Sequence, residues 1–202
     1  MNRITLILLI VITACSKDTE LKKSIFIDDP VNPGLPEYSE WGYNTFGAYY
    51  DRQIFISNDL AVPLKVIVSN DSTTLLFSGQ LGASTYYSDG EAGMSMRLTI
   101  PGYAPADYSG LISLDDSIMD LSKPDYRVEI SIDSSDYQAN ILDGQLEIKR
   151  AQKLLVDKEQ VEVILSGYFN FRALIKNEPV SVTEGRFDVG IGKDNFFNIP
   201  AK

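Results

Sequence analysis

The stretch VEVILSGYFNFRALI, residues 161–175, decides the fold class. Every second residue from Val161 to Ile175 is apolar or glycine, while the positions between them include Glu162 and Arg172. This two-residue period is typical of a strand with one face on a core and the other in water. Because strands usually run for about 3–10 residues, we expect this longer one to bend near Gly167.

The same alternation continues along the chain on both sides of this stretch. A turn at residues 176–178 precedes a partner strand that begins at Val180, and a change of phase around Glu184 and Gly185 predicts a β-bulge. Further strand candidates lie at residues 64–68, 75–81, 94–100, 128–132 and 146–148. Residues 150–159 have some helical spacing, but the stretch is short and we interpret it as a long hairpin loop.

About nine antiparallel strands without a long helix predict an all-β fold. A β-sandwich is the first expectation, and an up-and-down, lipocalin-like barrel is the alternative. The two differ in one functional respect, since the barrel would leave an internal ligand cavity and the sandwich would not.

The N-terminus has the layout of a secretory signal. Arg3 precedes an apolar run over residues 4–12 that is too short to span a bilayer, which takes about 20 residues. The sequence ITAC at residues 12–15 resembles the lipobox that lipoprotein signal peptidase recognises, and Cys15 is the only cysteine of the chain. We therefore expect residues 1–14 to be removed and Cys15 to carry fatty acids such as palmitate, which anchor the protein in a membrane.

Residues 15–37 are expected to form the lipidated N-terminus and an extended, proline-containing tether, and residues 38–202 a single β-domain. At about 3.1 Å per residue, such a tether could lift the domain roughly 60 Å from its lipid. The sequence SKDTE at residues 16–20 resembles the acidic export tag of Bacteroidota lipoproteins. The expected location is the outer membrane, at the cell surface or on the periplasmic face.

Composition excludes several function classes. The formal net charge of −10 argues against nucleic-acid partners, which need clustered basic residues. The chain has no histidine, which excludes histidine-dependent triads and Cys/His zinc sites. The acidic loops at residues 115–120 and 133–136 lack the spacing of a known calcium loop, so neither a metal nor a cofactor is predicted.

Two groups of side chains are candidates for ligand binding. An aromatic group near the start of the domain could stack on a sugar, although such residues also serve as ordinary rim and core residues: Trp41, Tyr43, Phe46, Tyr49 and Tyr50. Arg186 and Asp188 could form a ligand-binding ion pair on one strand face. The alternative is a structural pair on the solvent face of a bulged strand.

Three stretches carry a family resemblance: NTFGA at residues 44–48, SGYFNF at 166–171 and TEGRFDV at 183–189. They resemble a group of uncharacterised Bacteroidota outer-membrane lipoproteins with a Thr-Phe-Gly start and a C-terminal pattern of Ser-Gly, two alternate Phe and Gly-Arg-Phe-Asp. The resemblance spans the mature domain in short islands. It implies a surface or outer-membrane location and no particular activity.

The leading hypothesis is a non-catalytic, lipid-anchored envelope protein with a binding or structural role. Its partners would be the membrane, through the lipid, and a glycan or an envelope protein. One alternative is a carbohydrate-binding accessory lipoprotein. The other is a carboxylate-dependent glycan hydrolase, which would need two carboxyl groups about 5–9 Å apart across a cleft.

Overall fold

The computed structural model describes residues 24–57, 63–83, 90–156 and 159–199. This part of the chain forms one 3₁₀ helix, Tyr108–Leu114, and eleven strands: β1 Thr45–Tyr50, β2 Gln53–Ile56, β3 Leu64–Ser69, β4 Ser72–Leu81, β5 Ala92–Pro101, β6 Ser117–Asp120, β7 Arg127–Ile132, β8 Ser135–Val156, β9 Glu159–Ile175, β10 Glu178–Ile191 and β11 Phe196–Ile199. The all-β, antiparallel prediction is confirmed. The expected number of about nine strands was too low, because four-residue strands such as β6 and β11 are too short to show an alternating pattern.

The strands close into a barrel. Antiparallel pairing runs in the order β1, β2, β4, β5, β7, β8, β9 and β10, and β10 pairs with β1 again. The predicted sandwich is therefore wrong, and the structure agrees with the barrel alternative. The physical reason is that β4 pairs with β5 over its whole length and with β2 on its other edge, so no gap divides the strands into two sheets.

Along one edge of β4, and likewise along one edge of β8, two shorter strands pair in place of a single long one. Both β2 and β3 pair with β4, at residues 80–81 and 72–77 respectively. In the same way, β6 and β7 pair with different parts of β8. The remaining strand, β11, lies parallel to β3.

Phenylalanine side chains fill the interior of the barrel. Five of them are 0–1% exposed and form one cluster: Phe46, Phe55, Phe77, Phe169 and Phe187. Strands β4 and β9 lie opposite each other in the eight-strand order, yet the rings of Phe77 and Phe169 are only 5.3 Å apart. The contact spans the barrel, so side chains fill its cross-section at the level of these rings.

The local predictions on β9 and β10 are largely confirmed. The β9–β10 pairing shifts register between Val182 and Gly185, which is the predicted β-bulge, and Glu184 within it has a φ of +55°. Lys176 and Asn177 both have positive φ in the predicted turn. Opposite Gly167, the β8–β9 pairing shifts register, and the extra residue lies in β8 between Ile148 and Arg150.

Two boundaries differ from the sequence-based expectation. Residues 150–156, expected in a loop, belong to β8, because their backbone pairing with β9 continues as far as Val156. Residues 24–37, expected in the tether, lie against the barrel instead, and Leu35 is fully buried beside Ile56. The signal segment, Cys15 and the first part of the tether lie outside the described residues.

Within the described ranges, no helix has the length and apolar character needed to cross a membrane.

The central aromatic cluster should dominate stability. Replacing Phe77 by alanine removes ring contacts to Phe46, Phe169 and Phe187, and we expect it to lower the free energy of unfolding by about 3–5 kcal/mol. Phe197→Ala, at a 40% exposed position on β11, should cost less than half as much. Urea unfolding followed by circular dichroism measures both, and equal losses would contradict a filled barrel centre.

Candidate functional site

A segment outside the barrel, residues 24–43, covers part of its outer surface, and we call it the strap. The strap turns back on itself through an antiparallel bridge between Asp28 and Pro36. Its two ends meet where the Ile25 N–H donates to the Tyr43 carbonyl at 2.8 Å. A Cβ added at Gly47 of β1 would lie 2.6 Å from the Pro36 ring, so glycine at this position lets the strap approach the sheet closely.

The Asp188 carboxylate fixes one end of the strap. It lies on the outer face of β10 but is only 1% exposed. Five donors surround it: the backbone N–H groups of Trp41 (3.1 Å), Gly42 (2.8 Å) and Tyr43 (3.0 Å), the Ser166 hydroxyl (2.8 Å) and the Ser39 hydroxyl. Charge-assisted hydrogen bonds of this kind compensate the cost of burying a carboxylate.

Arg186 fixes the first half of the strap, and it is also buried, with 5% exposure. Its guanidinium forms an ion pair with Asp29 of the strap and a second one, at 3.0 Å, with Glu184 at the bulge. A hydrogen bond from the Asn32 amide lowers the pKa of Asp29 to about 2, and hydrogen bonds from the Val31 N–H and from Arg186 act in the same direction. Asp29 therefore stays ionised beside Arg186 down to low pH.

The predicted pair of Arg186 and Asp188 is not formed. The two side chains share the outer face of β10, as predicted, but each binds a different part of the strap. They are also buried, so the alternative of a solvent-exposed structural pair is wrong too. The physical reason is that the strap, which the sequence analysis placed in a tether, covers this face of the strand.

The predicted aromatic group is divided between different environments. Tyr50 packs against the barrel core, and the Tyr49 hydroxyl donates to the Pro33 carbonyl of the strap at 3.0 Å. Tyr43 is half-buried at the Asp188 site, and Phe46 belongs to the core. Trp41 alone of the five is exposed, at 74%, so the group does not form one sugar-stacking surface.

Sequence reasoning missed the contact between Tyr38 and Tyr168. Their rings stack at 4.3 Å, and the Tyr38 hydroxyl donates to Glu40 at 3.1 Å. Burial raises the pKa of Tyr38, and the neighbouring Glu40 carboxylate raises it further. The alternation of β9 placed Tyr168 on the outer face, but nothing in the pattern indicated that a residue of the strap would cover it.

A polar groove lies beside this contact, on the outer face of β8, β9 and β10, with a volume of about 530 Å³. Gln145 and Asn170 face each other across the β8–β9 pairing at its floor. Both are exposed, and neither side chain forms a hydrogen bond with any residue that the structure describes. We call this the β8–β10 groove.

The charged side chains around the β8–β10 groove pair with one another. Asp143 forms a bidentate pair with Arg172, and Glu184 pairs with Arg186. Glu147 pairs with Lys149 at 3.0 Å. Because Arg186 is shared between Glu184 and Asp29, carboxylates are in excess around the free amide groups of the groove, an arrangement suited to a polar ligand without negative charge.

Comparison of the chain with protein-family models, curated proteins and solved structures finds no match. Among the described residues, no group of three or more Asp, Glu, Cys or His side chains could hold a metal ion.

Asp188 should be essential for holding the strap. Asp188→Ala leaves several buried donors without an acceptor, and we expect a loss of about 3 kcal/mol in unfolding free energy, together with faster proteolysis within the strap. Asp143→Ala is the matched control, because it removes a carboxylate from an exposed ion pair and should cost at most about 1 kcal/mol. Urea unfolding and limited proteolysis measure the two effects, and equal behaviour of the variants would contradict the assigned role.

Proposed function

We propose that the protein is a non-catalytic, lipid-anchored envelope protein that binds a partner on the outer surface of its barrel. The carrying observation is the ITAC sequence at residues 12–15, which ends an apolar segment in the only cysteine of the chain. Lipid on Cys15 would hold the barrel at the outer membrane, at the cell surface or on the periplasmic face. The SKDTE sequence that follows favours the same location.

The geometry of the described residues favours binding of a partner on the outer surface of the barrel over catalysis in its interior. The phenylalanine cluster occupies the barrel centre, whereas the β8–β10 groove opens on the outer surface. The two buried charged residues, Arg186 and Asp188, are engaged by the strap. A glycan hydrolase needs two carboxyl groups that reach substrate, and Asp188, at 1% exposure, is not one of them.

A carbohydrate-binding role is the second candidate, and the β8–β10 groove favours it. Gln145 and Asn170 present planar amides with free donors and acceptors, which can bind neighbouring sugar hydroxyls in pairs. Since carboxylates are in excess around the groove, a neutral glycan fits better than an anionic one.

Lipid attachment is tested at the thiol itself. Cells grown with labelled palmitate should incorporate label into the wild-type protein, and Cys15→Ser should abolish it because the acceptor is lost. Ser16→Ala, at the next position, should keep the label. Unchanged labelling of the Cys15 variant would refute the proposed anchoring.

The groove is tested with an array of neutral glycans. If the second candidate is correct, some glycan binds, and Gln145→Ala combined with Asn170→Ala weakens that binding at least about tenfold, since each amide is worth roughly 1 kcal/mol. Gln53→Ala, at another exposed glutamine, is the control and should bind as the wild type does. An array without binding, or binding that survives the double substitution, would remove the groove from consideration.

A further inference from the structure

The strap shortens the reach of the proposed lipid anchor. Because Asp188 and Arg186 fix it to the barrel, only residues 16–23 separate Cys15 from the fixed part of the chain. Even fully extended, the chain from Cys15 to Ser24 spans only about 30 Å, half the reach of the expected tether. The side of the barrel on which the strap begins must therefore stay close to the membrane.

Exposed apolar side chains lie on that side. Ile25 and Ile27, at 48% and 45% exposure, alternate with the half-buried Phe26 and so point outward from the same face of the strap. The hydrogen bond from the Ile25 N–H to the Tyr43 carbonyl brings the Ile25 backbone close to the segment of Trp41, which is two residues from Tyr43 and 74% exposed. Large apolar side chains gathered on a surface mark an interaction site.

The backbone around Trp41 is fixed, so its side chain is held outside the fold. The N–H groups of Trp41, Gly42 and Tyr43 all donate to Asp188. The indole N–H makes no hydrogen bond to any residue that the structure describes. An indole with an apolar ring and a free N–H is suited to the interface between lipid headgroups and acyl chains, where tryptophan is enriched.

We propose that Ile25, Ile27 and Trp41 form a membrane-docking face, so that the barrel rests on the bilayer into which the lipid of Cys15 inserts. This inference rests on the proposed lipidation. The exposed carboxylates of Asp28 and Glu37 on the strap, and the net charge of −10, favour a zwitterionic lipid surface over an anionic one. The short connection supplies a high local concentration of bilayer, so that a small apolar face suffices.

The single tryptophan of the chain allows a direct test. The full lipidated protein is reconstituted in phosphatidylcholine vesicles, with and without bromine on the lipid acyl chains near the headgroup. We expect a blue shift of the Trp41 emission relative to the unlipidated Cys15→Ser protein, and at least twofold quenching by the brominated lipid. Ile25→Ser combined with Ile27→Ser should reduce the quenching.

Leu142→Ser is the matched control, because Leu142 is 53% exposed but adjoins the far part of β9, near Ala173, away from the Ser166 and Asp188 contact. It should leave the quenching unchanged.

Protein that floats with the vesicles but shows neither shift nor quenching would overturn the docking face and leave the anchoring intact. A blue shift without quenching would mean that a protein surface covers Trp41, which also overturns it. Failure to float would overturn both proposals.

Discussion

The carboxylate of Asp188 accepts hydrogen bonds from three consecutive backbone N–H groups of the strap and from the hydroxyls of Ser39 and Ser166. Burying a charge costs several kcal/mol unless it is compensated, and here dipoles of the protein replace the lost water. The compensation requires the strap in place, so the strap and the barrel stabilise each other. Burial of Leu35 and the ion pair of Arg186 with Asp29 depend on the same placement.

Closure of the sheet places a packed aromatic cluster at the centre of the barrel. In a wider barrel the space between opposite strands can hold a ligand. Here Phe77 and Phe169 meet across that space, and Phe46 and Phe187 pack around them. The interior therefore contributes stability, while the strap and the β8–β10 groove carry the features that suit binding.

Local features were predictable from the sequence, and the assembly of distant parts was not. The alternation over residues 161–175 and the phase change at Glu184 correctly located β9 and the bulge, because both depend on neighbouring residues. Closure was not predictable, since inward-facing positions alternate in the same way in sandwiches and barrels. The strap was missed because its composition is that of a linker, and because Arg186 and Asp29 are 157 residues apart in the chain.

The strap connects the proposed anchor with the candidate binding surface. Tyr38 of the strap stacks on Tyr168, which lines the β8–β10 groove, so the strap lies beside that groove. Residues 44–48, 166–171 and 183–189 also meet at the strap, since Gly47 and Asp188 contact it and the Ser166 hydroxyl donates to Asp188. A strap held near the bilayer would place the groove beside the membrane as well. The groove could then reach only ligands that are exposed close to the lipid surface. A long flexible tether would also let it reach ligands farther from the membrane.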